Sequence, residues 1–256
     1  MNVVPAPTSI LITGASGGIG TALALAYARP GVQLALTGRD QTRLAGVAGA
    51  CREAGAEPRT EVLDVCERAR LAAWVAEVDR AAPLDLVIAN AGISAGTGGG
   101  GETEAQARRI FATNFDGVLN TVLPAIACMR PRGRGQVAIM SSLAAFRGFP
   151  GAPAYCASKA AVRVWGEALR GALHNTGIGV SVICPGYVRS PMTAVNDFPM
   201  PLLMDAERAA RIIRRGLARD RPRIAFPWRL YAAVWLISAL PPRITDPLLR
   251  RLPKKT

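Results

Sequence analysis

Histidine is almost missing from this sequence: His174 is the only one in 256 residues. A His-dependent nucleophilic triad or a multi-His metal centre therefore has no imidazole set to build on, and no metal site is expected. Cysteine is scarce and scattered. Cys51, Cys66, Cys128, Cys156 and Cys184 are odd in number and form no C-x-x-C pair, which argues for reduced thiols in a cytoplasmic setting rather than a disulfide framework. No uninterrupted apolar run reaches the about 18 residues that a spanning helix needs. No basic segment leads into an apolar one at the N-terminus, as a secretion leader would have. Lysine is nearly absent too. Of 31 cationic side chains only Lys159, Lys254 and Lys255 are Lys, so one internal Lys stands in a chain that otherwise uses Arg.

Half of the residues are apolar, which suits a globular chain, and 256 residues suffice for one large α/β domain or two small ones. The net charge is +13, and +9 of it falls within residues 205–256. Such a bias fits an acidic cofactor, an anionic membrane, nucleic acid or nothing beyond solubility. The basic residues lie beside an apolar run rather than in a base-reading motif, so nucleic acid is set aside.

The lone internal Lys is four residues after Tyr155, in a Pro-free segment (154–173) rich in Ala, Val and Leu. On a helix the two side chains share a face, one turn apart. A phenol of pKa about 10 is a poor acid near neutrality, but a neighbouring cation favours its phenolate. Ser141-Ser142 ends a strand pattern just before this helix, and the Ser142 hydroxyl is placed to polarise a carbonyl that the phenol protonates. An isolated Tyr-x-x-x-Lys is more often a shared helix surface, so the rest of the chain has to decide.

At the other end, Ser9–Thr13 is a β-prone run followed at once by Gly14-Ala15-Ser16-Gly17-Gly18-Ile19-Gly20 and a helical pattern to about Ala28. Strand, glycine turn and helix in that order let backbone approach a pyrophosphate and aim helix N-terminal amides at its charge, although an ordinary tight turn reads the same way. A second strand, Val32–Thr37, ends in Gly38-Arg39. An NAD site usually carries an acid there; Arg39 instead suits the 2′-phosphate of NADP, with a solvated turn Arg as the alternative. Helices follow over 42–54 and 68–81, with strands over Arg59–Val65 and Asp85–Ala89. Asn90-Ala91-Gly92 closes the latter strand, and 96–101 is a glycine-rich loop. Residues 102–129 are helical in pattern but hold Asn114 with Gly117 three residues later, which fits a bend, a buried hydrogen bond or plain tolerance. Strands at Gln136–Met140, Gly179–Cys184 and Arg223–Phe226 and a basic helix over 206–218 complete about six strand–helix alternations. A doubly wound parallel α/β sheet is expected.

Over about residues 8–226 the chain resembles the short-chain dehydrogenase/reductase family. The resemblance rests on Thr13-Gly14-x-x-x-Gly18-x-Gly20, Asp64, Asn90-Ala91-Gly92, Asn114, Ser142, Tyr155-x-x-x-Lys159 and Pro185-Gly186, in that order. It implies a single Rossmann domain of about seven strands, carbonyl/alcohol interconversion with a nicotinamide cofactor, and a homo-oligomer built on the helices of Asn114 and Tyr155. By the same resemblance Tyr155 is the acid/base, Lys159 lowers its pKa and holds the nicotinamide ribose, Ser142 holds the substrate oxygen and Asn114 supports a proton relay. Gly14, Ser16, Gly18, Ile19 and Gly20 would face the phosphates, Arg39 the 2′-phosphate, Asp64 and Val65 the adenine. Asn90, Ala91 and Gly92 would face the inner ribose, and Pro185, Gly186, Val188 and Ser190 the nicotinamide. Some NADP-preferring relatives have a basic residue where this chain has Gly17, so the preference for NADP over NAD rests on Arg39.

The segment after Pro185-Gly186, from Met192 to Met204, is expected to form an apolar, adaptable wall over the substrate or simply to pack on the core. Residues 1–226 are read as the catalytic domain and 227–256 as an extension. Its run Leu230–Leu240, flanked by Arg229, Arg243 and the closing Arg250–Lys255, suits a segment lying on an anionic membrane or a helix packed on the domain or a second subunit. Together these features favour a lipid-like ketone or secondary alcohol: long-chain keto, sterol or ketosphingoid. The competing readings are a 3-oxoacyl reductase for carrier-bound chains and, in another class, a non-catalytic NADP-binding sensor.

Overall fold

The computed structural model describes residues 5–94 and 101–249. Seven parallel strands form one sheet in the order β3-β2-β1-β4-β5-β6-β7: β1 Ser9–Thr13, β2 Gln33–Gly38, β3 Glu57–Val62, β4 Leu86–Ala89, β5 Gly135–Met140, β6 Ile178–Pro185 and β7 Arg223–Phe226. The strands alternate with helices α1 Gly18–Tyr27, α2 Gln41–Glu53, α3 Arg68–Ala81, α4 Glu104–Phe111, α5 Gly117–Met129, α6 Pro153–Ala172, a short α7 Pro191–Ala194 and α8 Ala206–Leu217. Helices α9 Trp228–Ala239 and α10 Pro242–Leu249 follow β7.

Side chains leave a strand on alternate faces, and the central strands are apolar on both. Ile10, Ile12, Leu86 and Ile88 join one core under α1, α2 and α8, whereas Leu11, Val87, Ala89, Val137 and Ile139 join the other under α3, α5 and α6. The edge strand β3 differs. It begins at Glu57 rather than Arg59 and ends at Val62, where its ladder with β2 closes opposite Gly38. Its mixed polar sequence and Pro58 suit a sheet edge that must not pair further.

The helical stretch 102–129 is in two parts. Thr103 caps α4 by accepting from the Gln106 amide while Gln106 returns a bond to the Thr103 amide, so Glu102 lies outside the helix. Between α4 and α5 the backbone widens into one π turn, Ala112–Asp116. The combined helix, Glu104–Arg132, is 29 residues long and apolar enough by length and composition to cross a membrane. Half of its most apolar window is buried, with Val118, Val122 and Ala125 in the core beneath the sheet, which accounts for its composition.

Because β1 and β4 are neighbours while their helices leave on opposite faces, a crevice opens at their C-terminal ends. Every candidate site element except the distant ends of the chain meets there.

Candidate active site

The crevice floor is the glycine turn. Gly14 and Gly18 adopt left-handed backbone, φ +66 and +45, and a Cβ on Gly18 would sit 2.6 Å from Ser190 Cβ. A Cβ on Gly20 would collide with the Gly14 carbonyl oxygen, so α1 can approach its own turn only with Gly at 20. The first amides of a helix have no acceptor within it. Here the Gly20 and Thr21 amides turn back to the Gly17 carbonyl, and the Ser16–Ile19 backbone faces the cleft.

Asn90, at the end of β4, fixes the turn. Its side-chain amide donates to the Thr13 and Gly14 carbonyls at 3.0 and 3.1 Å, and the Thr13 hydroxyl accepts from the Asn90 and Ala91 amides. Thr13 thus joins β1 to β4 at the switch point. Its signal in the sequence was its place immediately before Gly14.

Asn114 sits in the π turn and is fully buried. Its Oδ1 accepts from the Ile93 amide at 2.8 Å, and its Nδ2 donates to the Ile93 carbonyl at 2.9 Å and to Ser158 Oγ at 3.1 Å. The locally unfavourable Asn is therefore offset by a buried network, and the helix widens into a π turn around it. Asn114 does not line the cleft itself; it stands behind Gly92, where a Cβ would meet Asn114 Oδ1 and Lys159 Nζ, each at 3.2 Å.

β5 delivers Ser141 and Ser142. The Ser141 hydroxyl donates to the Lys159 carbonyl at 2.8 Å, tying the strand end to α6. Ser142 Oγ accepts from the Ala144 amide at 3.1 Å and donates to the Pro185 carbonyl at 3.5 Å. Burial raises the Tyr155 pKa above its ordinary value, and the neighbouring Ser142 hydroxyl pulls the other way. Lys159 is 3% exposed, and burial lowers its pKa to about 8. Its Nζ donates to the Met140 carbonyl at 2.9 Å and lies 5.9 Å from the centre of the Tyr155 ring. The ammonium is thus on the phenol's face of α6 but is turned toward β5, and Ser142 rather than Lys159 is the polar group that eases the phenol's ionisation here.

The N-terminus of α6 has no side-chain cap of its own, since Ala152 holds that position. Glu102 supplies one across the fold: its Oε2 accepts from the Ala154 amide at 2.7 Å. This residue was not among those singled out, because no local pattern links positions 52 residues apart.

At the far end of the cleft Arg39 Nη1 lies 3.6 Å from Asp64 Oδ2. Burial works against the Asp64 charge, but the Cys66 amide and Arg39 outweigh it and hold the carboxyl below its ordinary range. Asp40 is next to Arg39, yet its carboxylate caps α2 by accepting from the Arg43 amide and the Arg43 Nε at 2.9 and 2.6 Å. On the substrate side, Thr193 donates to the Val188 carbonyl at 2.7 Å and exchanges capping bonds with Ser190.

A single cleft of ≈ 680 Å³ gathers Gly14, Ser16, Gly18, Ile19, Arg39, Asp64, Val65, Asn90, Ala91, Gly92, Ser142, Tyr155, Lys159, Pro185, Gly186, Val188 and Ser190. Gly20 and Asn114 stand behind its wall. The glycine cradle, the backbone around Ser16–Ile19 and the Arg39 end fit a dinucleotide laid along it. Among the described residues no group of three or more His, Cys, Asp or Glu could hold a metal ion.

Of the expected apolar wall, Met192 lines the cleft, Met204 is buried in the core and Val195 and Leu202 are exposed. Val188 and Met204 form an isolated parallel bridge, and Arg189 pairs with Asp205 at 3.0 Å, so the segment is clasped at its base. The 96–101 loop lies outside the described residues apart from Gly101.

The short chain dehydrogenase family model matches residues 8–198. The chain belongs to the short-chain dehydrogenase/reductase family and is an NAD(P)-dependent oxidoreductase. It is 37% identical to an uncharacterized oxidoreductase of Myxococcus xanthus over 94% of this chain and 96% of that one. It is 34% identical to the ketoacyl reductase HetN of Nostoc sp. over 70% of this chain and 63% of the relative. Two solved structures, each 25% identical over 97% of both chains, share the fold. The short-chain dehydrogenase of Sphingobium yanoikuyae in complex with NADPH has a TM-score of 0.80, and the short chain dehydrogenase/reductase of Burkholderia phymatum in complex with NAD has 0.83.

Proposed function

We propose that the protein reduces an apolar, lipid-like ketone, or oxidises the matching secondary alcohol, with NADP preferred over NAD. The observation that carries the reaction is the meeting of Ser142, Tyr155 and Lys159 in one cleft with the glycine turn. When bound, the nicotinamide supplies or accepts the hydride. The Ser142 and Tyr155 hydroxyls donate to the carbonyl oxygen as negative charge grows on it, and Tyr155 gives up its proton. Lys159 holds positive charge behind the phenol and would hold the nicotinamide ribose once the cofactor is bound, and Asn114 fixes the backbone around Ile93 on which a proton relay would depend. A sensor would need none of this machinery, which speaks against the non-catalytic reading.

The preference for NADP is supported by Arg39 and by the absence of a free acid at the end of β2, since Asp40 is engaged in capping α2. An apolar substrate is supported by Met192 in the cleft and by the exposed Val195 and Leu202 of the clasped segment. The likeness to a ketoacyl reductase favours a second reading, a 3-oxoacyl thioester as substrate. We read residues 227–256 as an extension with a role of its own, peripheral to an anionic membrane, and place the protein in a reducing compartment, which its five free cysteines suit. A homo-oligomer through α5 and α6 would cover Leu123 and Val164, which are 51% and 55% exposed.

The test is direct. Tyr155→Phe is expected to abolish turnover of ketones while NADPH still binds; retained turnover would overturn the assignment. A panel of acyl thioesters, sterol ketones and long-chain keto bases, followed by NADPH oxidation, separates the two substrate readings.

A further inference from the structure

Helix α9 is apolar along most of its length, with Arg229 its only charged residue, yet only one side of it is covered. Leu230, Tyr231 and Val234 face inward onto Leu143, Val182 and Cys184, with the Tyr231 ring edge-on to Phe146 at 5.3 Å. The exposed side holds Trp228 and, about two turns on, Trp235 and Leu236, with Leu240 just past the helix end; they are 71%, 55%, 58% and 39% exposed. Large apolar side chains on a helix normally face a core. Two indoles on one exposed face are more than scattered surface apolarity.

We infer that the outward face of α9 seats on an anionic lipid bilayer, lying in its surface. Charge decides between this occupant and a second copy. Residues 227–256 carry six cationic side chains against Asp246 alone. Arg229 and Arg243 are exposed, and the Arg229 guanidinium lies 5.6 Å from the Trp228 ring centre. A twofold contact through this stripe would set its cations against their own copies, whereas anionic headgroups attract them. Trp is the side chain whose apolar ring and N–H suit the headgroup boundary. At 12 residues α9 is about 18 Å long, too short for a hydrocarbon core of about 30 Å, so it lies flat rather than crossing.

The seat has a consequence for the site. The inner side of α9 touches the substrate half of the cleft: a Cβ on Gly186 would come within 3.0 Å of Leu230 Cδ2, and Leu143 follows Ser142 directly. The next helix is tied to the same loop, with Arg147 donating to Thr245 Oγ1 at 3.0 Å and to Asp246 Oδ1 at 2.7 Å. One helix diameter of about 10 Å then separates the lipid surface from the loop that carries Ser142. This deepens the membrane-peripheral reading above, and the docking itself needs no assumption about the substrate.

The experiment is flotation of the full chain, without substrate, on vesicles of phosphatidylcholine alone or mixed with phosphatidylglycerol. Binding to the mixed vesicles is expected, weakening at about 0.5 M salt. The exposed-face double variant Trp235→Glu/Leu236→Glu is expected to lose about tenfold or more of it, and Arg229→Glu/Arg243→Glu to lose the preference for anionic lipid. Circular dichroism and activity on a small soluble ketone serve as fold controls, since none of these residues belongs to the catalytic set. Failure to float on anionic vesicles at low salt overturns the inference. So does flotation that the Glu variants leave unchanged, or self-association in solution that Trp235→Glu/Leu236→Glu abolishes. Loss of ketone activity in the wild type with flotation intact would instead count against the proposed reaction.

Discussion

The Arg39 guanidinium and the Asp64 carboxylate face each other across the end of the cleft, 3.6 Å apart and both partly exposed. A 2′-phosphate entering there would find a cation already shared with an acid, so its gain is the difference between two partners rather than the whole of a new ion pair. Arg39→Ala is expected to weaken NADPH binding by about tenfold or more, the range of a charge-assisted hydrogen bond, while changing NADH binding by less than about threefold. Titration of reduced-cofactor fluorescence reads both. Equal losses for the two cofactors would remove the 2′-phosphate role.

Asn114 satisfies both backbone groups of Ile93 from inside a helix. Asn114→Ala leaves that N–H and C=O without their partner at the half-buried wall of the cleft, at a cost of about 1–3 kcal/mol of stability. A urea midpoint shift, measured beside the fall in kcat, checks the prediction; an unchanged midpoint would show that water replaces the side chain.

Glu102 caps the helix that carries Tyr155 and Lys159. Glu102→Ala is expected to cost about 1 kcal/mol, and Glu102→Gln, which keeps an acceptor at the same reach, less than half of that. Equal midpoints for the Ala and Gln variants would show that the amide of Ala154 does not depend on this bond.

Lys159 is held down to about 8 by burial, against 10.5 when free. Below the lower value both the folded and unfolded chains carry the proton and the native state bears the cost of a buried ammonium. Between the two values the unfolded chain binds more proton than the native one, so stability rises with pH, levelling above 10.5. The difference in stability between wild type and Lys159→Met is therefore expected to move in favour of the wild type as pH climbs from 8 to 10.5. Urea midpoints at several pH values measure it, and a pH-independent difference would show that Lys159 titrates normally in the cofactor-free protein.

What could be read from residues alone follows from where the physics is local. Arg68–Ala81 and Arg223–Phe226 match the structure to the residue, because apolar periodicity and flanking breakers are short-range signals. The ends of β3 were displaced because an edge strand lacks the continuous apolar run that marks its buried neighbours. Helix α10 was hidden by Pro241 and Pro242, which look like breakers although Pro242 opens the helix as its first residue. In the site, Gly14, Asn90, Ser142 and Tyr155 were legible from order and spacing. Glu102 on Ala154 and Thr13 on Asn90 were not, since each is a hydrogen bond across distant segments that only the folded chain brings together. The direction of Lys159, toward Met140, was equally beyond reach: spacing sets the face of a helix, not the torsions of a long side chain.

Within its apolar cluster the residues that α9 packs against precede it in the chain: Leu143, Phe146, Phe149, Val182, Cys184 and Ala225. During vectorial synthesis its seat is complete before the apolar run Leu230–Leu240 is made, so half of that run can be sheltered as soon as it appears. A circular permutation that moved this segment ahead of β1 would expose all of its faces to the nascent chain and to chaperones while the seat was still unmade. The late place of α9 in the order of synthesis is therefore itself a protection against aggregation.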